Sequence, residues 1–371
     1  MRASTSMQLP KVGIGTIGAG SRATATELSI KERLDSFALA LDLGANLYDV
    51  GEDYEGGLTE EILGRFAKGQ RQRLLIATKF TPQHAAYSAL LQAAEDSLRR
   101  LQTDYIDLYQ MHWPNPAVPL DETMTALERL LQDGKIRSIG LSNCSMQYAR
   151  RANAYLEKSE IATNQVKVNA FDRPTIREPG YFEEAGRARM VTIAYGVFSQ
   201  GRMKFDSKVD ALFTRICQKY SISRSQLLIA WTLTFPNTIA LIRSTKQDHI
   251  RSNIAAADIA LDAFDAKQIL DHLNIEIQRI AVAQISVIDN DPDVSHTIYL
   301  SMDEALRNPR GLWPDVQTIA REIQDGEPFR PVELIRDGTQ YRLVQGRMRY
   351  WAWRYLYGDS AEIPAIVTAH A

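Results

Sequence analysis

The chain has 371 residues, 45% hydrophobic and 24% charged, with a formal net charge of −2. That apolar mass can fill a sizeable core, and the length calls for one large barrel with an appendage or for two domains. The near-neutral balance excludes an overall pull toward nucleic acid or anionic membrane. Two cysteines, Cys144 and Cys217, do not make a disulfide framework. With no basic-then-apolar leader and no apolar run near ~18 residues, a soluble, cytoplasmic protein is expected.

Short apolar runs recur along the chain. They predict strands near Val12–Gly15, Asn46–Asp49, Leu75–Lys79, Ile106–Met111, Ile136–Leu141, Asn164–Val168, Val191–Tyr195 and Ile239–Ile242. The gaps carry helical patterns. Between Gln83 and Leu101, for example, Leu90, Leu91, Ala94, Leu98 and Leu101 share one face. A second helix, Thr123–Gln132, ends at Asp133-Gly134-Lys135, where Gly134 can take the left-handed cap. Eight strands alternating with helices predict a (β/α)8 TIM barrel. A doubly wound sheet would need a dinucleotide fingerprint after the first strand, and Gly13, Gly15, Gly18 and Gly20 have the wrong spacing for one.

Beyond the helix predicted at Phe264–Leu273 the character changes. From Ala281 onward the basic residues are nine arginines and no lysine, against thirteen acids, a balance of −4. A boundary near 278–282 is expected, with the barrel over 1–278 and a small α+β module over 281–371.

Polar residues collect where predicted strands end, the face on which barrels do chemistry. Strand two ends in Asp49, and the loop after it supplies Tyr54. Strand three ends in Lys79. Strand four leads into His112 and Trp113, before Pro114 stops it. Each alone has a plain structural explanation, such as a helix cap, a rim charge, loop packing or a core histidine. Together they make a proton-transfer device. Tyrosine is a poor acid near its usual pKa of about 10; a lysine cation lowers that value, and a carboxylate orients the lysine. A histidine can hold a carbonyl oxygen beside the phenol.

On these residues the chain resembles the aldo-keto reductase family over residues 9–275, with Asp49, Tyr54, Lys79 and His112 matching its catalytic tetrad. The resemblance implies reduction of an aldehyde or ketone, hydride coming from a nicotinamide cofactor and the proton from Tyr54. It also implies cofactor contacts. Ile139-Gly-Leu-Ser142-Asn143 and Asn164-Gln165-Val166 match motifs in which Ser142, Asn143 and Gln165 hold the nicotinamide amide, and Tyr195 matches the stacking aromatic. At the adenosine end, Arg243 and Ser244 stand where NADP-preferring members meet the 2′-phosphate, and Asn253 matches the adenine-binding asparagine. A guanidinium beside a hydroxyl favours a phosphate dianion, so NADPH is expected and NADH is the alternative. His249 and Ser252 replace the arginine and acid common in that motif, and Gly196 replaces the common serine after Tyr195. Trp113, Tyr54 and the loop from Gly18 to Thr26 are the expected substrate-pocket residues. No metal is expected.

In the C-terminal module, Val332–Ile335 and Tyr341–Val344 predict a hairpin around Asp337-Gly338. Gly346 then opens a helix to Tyr357, ended by Gly358, and Ile363–Val367 supplies a strand. With Glu327-Pro328-Phe329-Arg330-Pro331 ahead of the hairpin, the arrangement resembles the ParB-like, sulfiredoxin-type fold over roughly 285–367. That resemblance implies a phosphate or nucleotide site at Gly346, Arg347 and Arg349, although Gly346-Arg347-Met348-Arg349 departs from the family's Gly-Glu-Arg-Arg or Gly-x-His-Arg. The acidic balance, and the end at Ala371 where chromosome-partitioning members continue into a helix-turn-helix, set the expectation that it does not bind DNA. Two alternatives stay open: an NADP(H)-binding redox sensor with little turnover, and a nucleotide-dependent activity of the C-terminal module.

Overall fold

The computed structural model of the chain describes residues 8–18, 24–170, 180–199, 207–272, 277–288, 299–327, 329 and 331–368. The chain divides into two compact units, 1–271 and 272–371. Most of the expected Gly18–Thr26 pocket loop, residues 19–23, lies outside the described residues, as do Pro328 and Arg330.

In the first unit, β1 (Val12–Gly15), β2 (Leu47–Asp49), β3 (Leu75–Phe80), β4 (Leu108–Met111), β5 (Ile139–Ser142), β6 (Ile161–Lys167), β7 (Val191–Tyr195) and β8 (Thr238–Ile242) close into one parallel barrel in sequence order. Between them run α1 (Glu27–Asp42), α2 (Leu58–Ala67), α3 (Tyr87–Leu101), α4 (Leu120–Gln132), α5 (Met146–Tyr155) and α6 (Tyr181–Arg187). The pair α7 (Ser207–Tyr220) and α8 (Arg224–Thr232) precedes β8, and α9 (Gln247–Ala255) and α10 (Ala263–His272) follow it. Capping boxes start α1, from Thr26 to Ser29, and α8, from Ser223 to Gln226, each contributing about 1 kcal/mol.

Strand alternation places the chemistry. Leu47, Ala77, Leu108, Ile193 and Ile239 form a buried cluster within the barrel. Because side chains alternate along a strand, residues two or four further on point the same way, one or two layers higher. Counting up from that cluster reaches Asp49, Lys79, Gln110 and then His112, Tyr195, and, through Leu241, Arg243. The other parity faces the helices. Tyr48, between Leu47 and Asp49, packs edge-on against Phe37 and donates its hydroxyl to the Phe37 carbonyl at 2.7 Å. The barrel interior is narrow at Gly140, where a Cβ would lie 2.5 Å from Thr163 Oγ1 and 2.8 Å from Gln110 Cγ. A bare backbone is required there.

Several expected boundaries shift. Ile106 and Ile136 meet only in an isolated bridge, and the ladders of β4 and β5 begin later. Asp107, between them, braces the neighbouring strand instead. Its carboxylate accepts from the Ile76 N–H at 2.9 Å and pairs with Arg71 at 2.6 Å. The helix expected from Gln83 begins at Tyr87, because Pro82–His84 form a separate 3₁₀ turn.

The second unit contains a five-stranded sheet in the order β10-β12-β11-β13-β9, from β9 (Ile277–Ala281), β10 (Ile285–Ser286), β11 (Val332–Asp337), β12 (Gln340–Gln345) and β13 (Glu362–Thr368). Helices α11 (Met302–Arg307), α12 (Val316–Gln324) and α13 (Arg347–Tyr357) bury Ala305, Ile319, Ala320, Trp351 and Ala352 in one core with Val332, Leu334, Leu343 and Ile363. The hairpin forms, but its turn is displaced by one residue. Asp337 pairs with Gln340, so the two turn residues are Gly338 and Thr339 rather than Asp337 and Gly338. Gly338, at φ 60°, takes the left-handed conformation that a tight hairpin needs.

Candidate active site

A cavity of about 1190 Å³ opens at the C-terminal ends of the barrel strands, and Asp49, Tyr54, His112, Ser142, Asn143 and Arg243 are among its lining residues. Such a volume takes a ligand larger than a lone small carbonyl.

Asp49, Tyr54, Lys79 and His112 meet at its floor. Lys79 is fully buried, with Nζ 2.6 Å from Asp49 Oδ1 and 2.8 Å from the Val50 carbonyl. It lies 4.6 Å from the centre of the Tyr54 ring. Tyr54 leads a tight turn, Tyr54–Gly57, and stands edge-on to His112 with ring centres 5.7 Å apart. Burial opposes the charge on Lys79, yet Asp49 and Tyr54 more than offset it and hold the ammonium above the usual lysine range. Tyr54 departs from expectation. Burial outweighs the charge of Lys79, and its phenol is pushed up to about 12 rather than down. The phenol therefore keeps its proton at neutral pH, and by itself it is a weaker acid than a free tyrosine.

A second set of groups joins the first by hydrogen bonds. Gln165 Nε2 donates to Asp49 Oδ1 at 2.8 Å, across the bore from β6 to β2. Ser142 Oγ donates to the Gln165 carbonyl at 2.9 Å. Asn143, in the left-handed region at φ 59°, donates through Nδ2 to Ser142 Oγ and to the His112 carbonyl, and its Oδ1 accepts from Tyr195 Oη at 2.8 Å. Amides, a hydroxyl and an aromatic ring thus converge beside the phenol. This donor set fits a planar carboxamide, which needs both a donor and an acceptor.

The sequence profile of the Aldo/keto reductase family matches residues 11–274. The chain belongs to that family. It is 30% identical over 261 residues to methylglyoxal reductase YeaE of Escherichia coli (strain K12), covering 70% of this chain and 89% of that protein. Among solved structures, a thermostable aldo-keto reductase in complex with the inhibitor epalrestat superposes with a TM-score of 0.68 at 32% identity, over 74% of this chain and 98% of that one. An aldo/keto reductase from Klebsiella pneumoniae, solved with NADP and acetate, gives 0.63 at 30%, over 71% and 92%. As a member of this family the chain is an NAD(P)H-dependent oxidoreductase.

At the far end of the reductase cavity, Arg243 Nη1 donates to the Ile17 carbonyl at 2.8 Å, and its guanidinium lies against Gly18, where a Cβ would overlap it. Ser244 Oγ accepts from the Lys246 N–H at 3.1 Å, and Asn253 lines the same end from α9. Trp113, Gly196, His249 and Ser252 also line the cavity.

The sequence reading missed several lining residues, including Asp53, Glu55, Phe198, Ser223 and Ser225. Two of them flank Tyr54, and this pair of acids was a signal in plain view. Ser223 was legible as a helix cap from its Ser-x-x-Gln pattern, but not as a cavity residue. Glu55 accepts from the Gly18 N–H at 2.5 Å, which ties the loop after β2 to the loop after β1.

In the second unit Gly346 takes the left-handed conformation at φ 91° ahead of α13. Arg347 is buried and donates to the Ile288 carbonyl at 2.8 Å, while the Arg349 guanidinium packs over Gly346. Among the described residues no cluster of His, Cys, Asp or Glu could hold a metal, and no helix is long and apolar enough to cross a membrane.

Proposed function

We propose that the barrel reduces an aldehyde or ketone to the alcohol with NADPH, His112 holding the carbonyl oxygen and Tyr54 giving it a proton. The carrying observation is the buried Tyr54 phenol set beside the Lys79–Asp49 pair and His112 on the cavity floor. When bound, the cofactor supplies the hydride to the carbonyl carbon. Ser142, Asn143 and Gln165 would hold its carboxamide, Tyr195 its ring, Asn253 its adenine, and Arg243 with Ser244 the 2′-phosphate. Lys79 compensates the charge left on Tyr54 when the proton leaves, and Asp49 keeps Lys79 charged and aimed. His112 and Trp113 border the space left for substrate.

The test is NADPH consumption, followed by its near-ultraviolet absorbance, against a carbonyl panel headed by methylglyoxal, the compound named in the Escherichia coli relative. Tyr54→Phe should cost about 10²–10⁴-fold in kcat with NADPH affinity unchanged, the usual worth of a positioned acid. Equal turnover by Tyr54→Phe would remove Tyr54 as the donor, and tight binding with no turnover on the panel would favour a sensor.

For residues 281–371 we keep the ParB-like reading, as a regulatory, nucleotide-binding or assembly module. The hairpin and the glycine-opened helix support it. Arg347, turned into its own unit, leaves Gly346 and Arg349 as the part of the expected anion seat nearer solvent. Calorimetry of the full chain with nucleotides tests the binding role, and no heat at millimolar nucleotide would remove it. Neither Cys144 nor Cys217 is in a disulfide, which supports a cytoplasmic setting.

A further inference from the structure

Asp53 precedes Tyr54, and no part of the proton-transfer scheme uses it. Its Oδ2 lies 3.2 Å from His112 Nδ1. The turn that carries it is fastened to the barrel. The Glu52 N–H donates to the Lys79 carbonyl at 3.2 Å, and the Glu52 carboxylate accepts from the Thr81 N–H at 2.6 Å and meets His84 Nδ1 at 2.8 Å. The Tyr54 N–H returns to the Gly51 carbonyl at 3.1 Å. Gly51 shapes the seat, since a Cβ there would lie 3.0 Å from Asp53 Oδ1 and 3.2 Å from the Tyr54 ring. His112 is fixed from its other side. Its N–H donates to the Phe80 carbonyl at 3.0 Å, and its carbonyl accepts from Asn143 Nδ2 at 3.1 Å. Ring and carboxylate are thus held toward each other by backbone on both sides.

Ring and carboxylate face each other as an ion pair at 3.2 Å, and since a carboxylate can only accept, the contact favours a proton on Nδ1. A neutral imidazole has one N–H. With that proton at Nδ1, Nε2 carries a lone pair, which repels a carbonyl oxygen. Nε2 can donate only when the ring holds both protons. We propose that Asp53 is the positioning residue of His112: it fixes the Nδ1–H form, so the carbonyl is met by an imidazolium rather than by a neutral imidazole.

The surrounding charges agree with this assignment. Burial alone would raise Asp53, but the hydrogen bond and charge of His112, with Lys79 beyond, hold its carboxyl below the usual range, so it is an anion throughout the neutral range. The other ionisable groups on the cavity wall are Asp49 from β2, Tyr54 and Glu55 from the turn, Tyr195 from β7, and Arg243 and His249 after β8, with Lys79 of β3 buried against Asp49. Lys79 is already neutralised by Asp49 at 2.6 Å. Tyr54 is pushed up to about 12 and does not titrate near neutrality. A cationic donor also polarises the carbonyl more strongly, since charge-assisted hydrogen bonds are roughly twice as strong as neutral ones.

The proposal rests on the carbonyl-reductase reading, so two independent measurements are needed. The first is the tautomer of His112 by nitrogen-15 NMR of the full chain, assigned with His112→Gln; this needs no turnover. In the wild type the neutral ring should show its proton at Nδ1. Asp53→Ala, which removes the acceptor, should release the proton to Nε2, and Asp53→Glu should restore it to Nδ1. The second is the pH profile of kcat/KM, whose alkaline limb should move to lower pH in Asp53→Asn, which keeps an acceptor but loses the charge. An Nε2–H tautomer in the wild type, or a profile unmoved in Asp53→Asn, would overturn the proposal. The expected NMR result with no carbonyl reduced would overturn the reductase reading instead.

Discussion

Replacing Lys79 by methionine should expose how the floor of the cavity is built. Lys79 is fully buried and Asp49 is 2% exposed. The ammonium donates at 2.6 Å to that carboxylate and at 2.8 Å to the Val50 carbonyl. Methionine matches the length of the stem but donates nothing, so Asp49 keeps only the Gln165 amide, at 2.8 Å. Breaking one side of a buried pair costs about 3–5 kcal/mol, and the surviving Gln165 bond places the expected loss near ~3 kcal/mol. The folded Lys79 lies above its usual 10.5, so its contribution is complete below that pH and is lost only as pH rises through the folded value. The deficit should therefore be flat across the neutral range. Urea unfolding of the full chain, read by hydrogen-exchange mass spectrometry at β2 and β3, gives the number. Adding Asp49→Asn removes the stranded charge and should recover most of it. A loss under ~1 kcal/mol, or a double variant as unstable as the single one, would refute the picture of a compensated pair.

Two further outcomes follow from the same geometry. Arg243→Leu should weaken NADPH by at least tenfold, about 1.4 kcal/mol, and leave NADH nearly unchanged, as read by ligand fluorescence titration; equal loss for both would place the guanidinium away from the 2′-phosphate. Glu128 accepts from the N–H groups of Lys158 and Ser159 at 2.7 and 3.2 Å, bonds that outweigh its burial and hold it below the usual 4.5. Its contribution is present above that pH and lost as pH falls through the folded value. Glu128→Ala should therefore cost about 1–3 kcal/mol at neutral pH, and the difference from wild type should narrow in acid melts.

The barrel was legible because a closed parallel sheet needs eight apolar runs with helical spacers, and this pattern is local. The four polar residues at strand ends were legible for the same reason: alternation carries the eye from Leu47 to Asp49 and from Ala77 to Lys79. What escaped depended on distances between segments. Asp53 looks like a loop acid until His112 is seen 3.2 Å away. The direction of Tyr54 could not be read from its neighbours, since Lys79 beside it argued for a lower pKa and the burial that outweighs it belongs to the folded barrel. The hairpin was read correctly as a hairpin, but Asp-Gly pairs sit equally well at two registers, and the ladder chose the later one.

The bond from Gln165 to Asp49 ties two strands that do not touch in the sheet, and through Ser142, Asn143 and Tyr195 it laces the mouth from wall to wall. A barrel held only by its ladder can ovalise, as a hoop does under thumb pressure, at little cost to any one rung. Here any such deformation must stretch a spoke. The spacing between Asp49, Gln165, Ser142, Asn143 and Tyr195 is therefore a stiff dimension of the molecule.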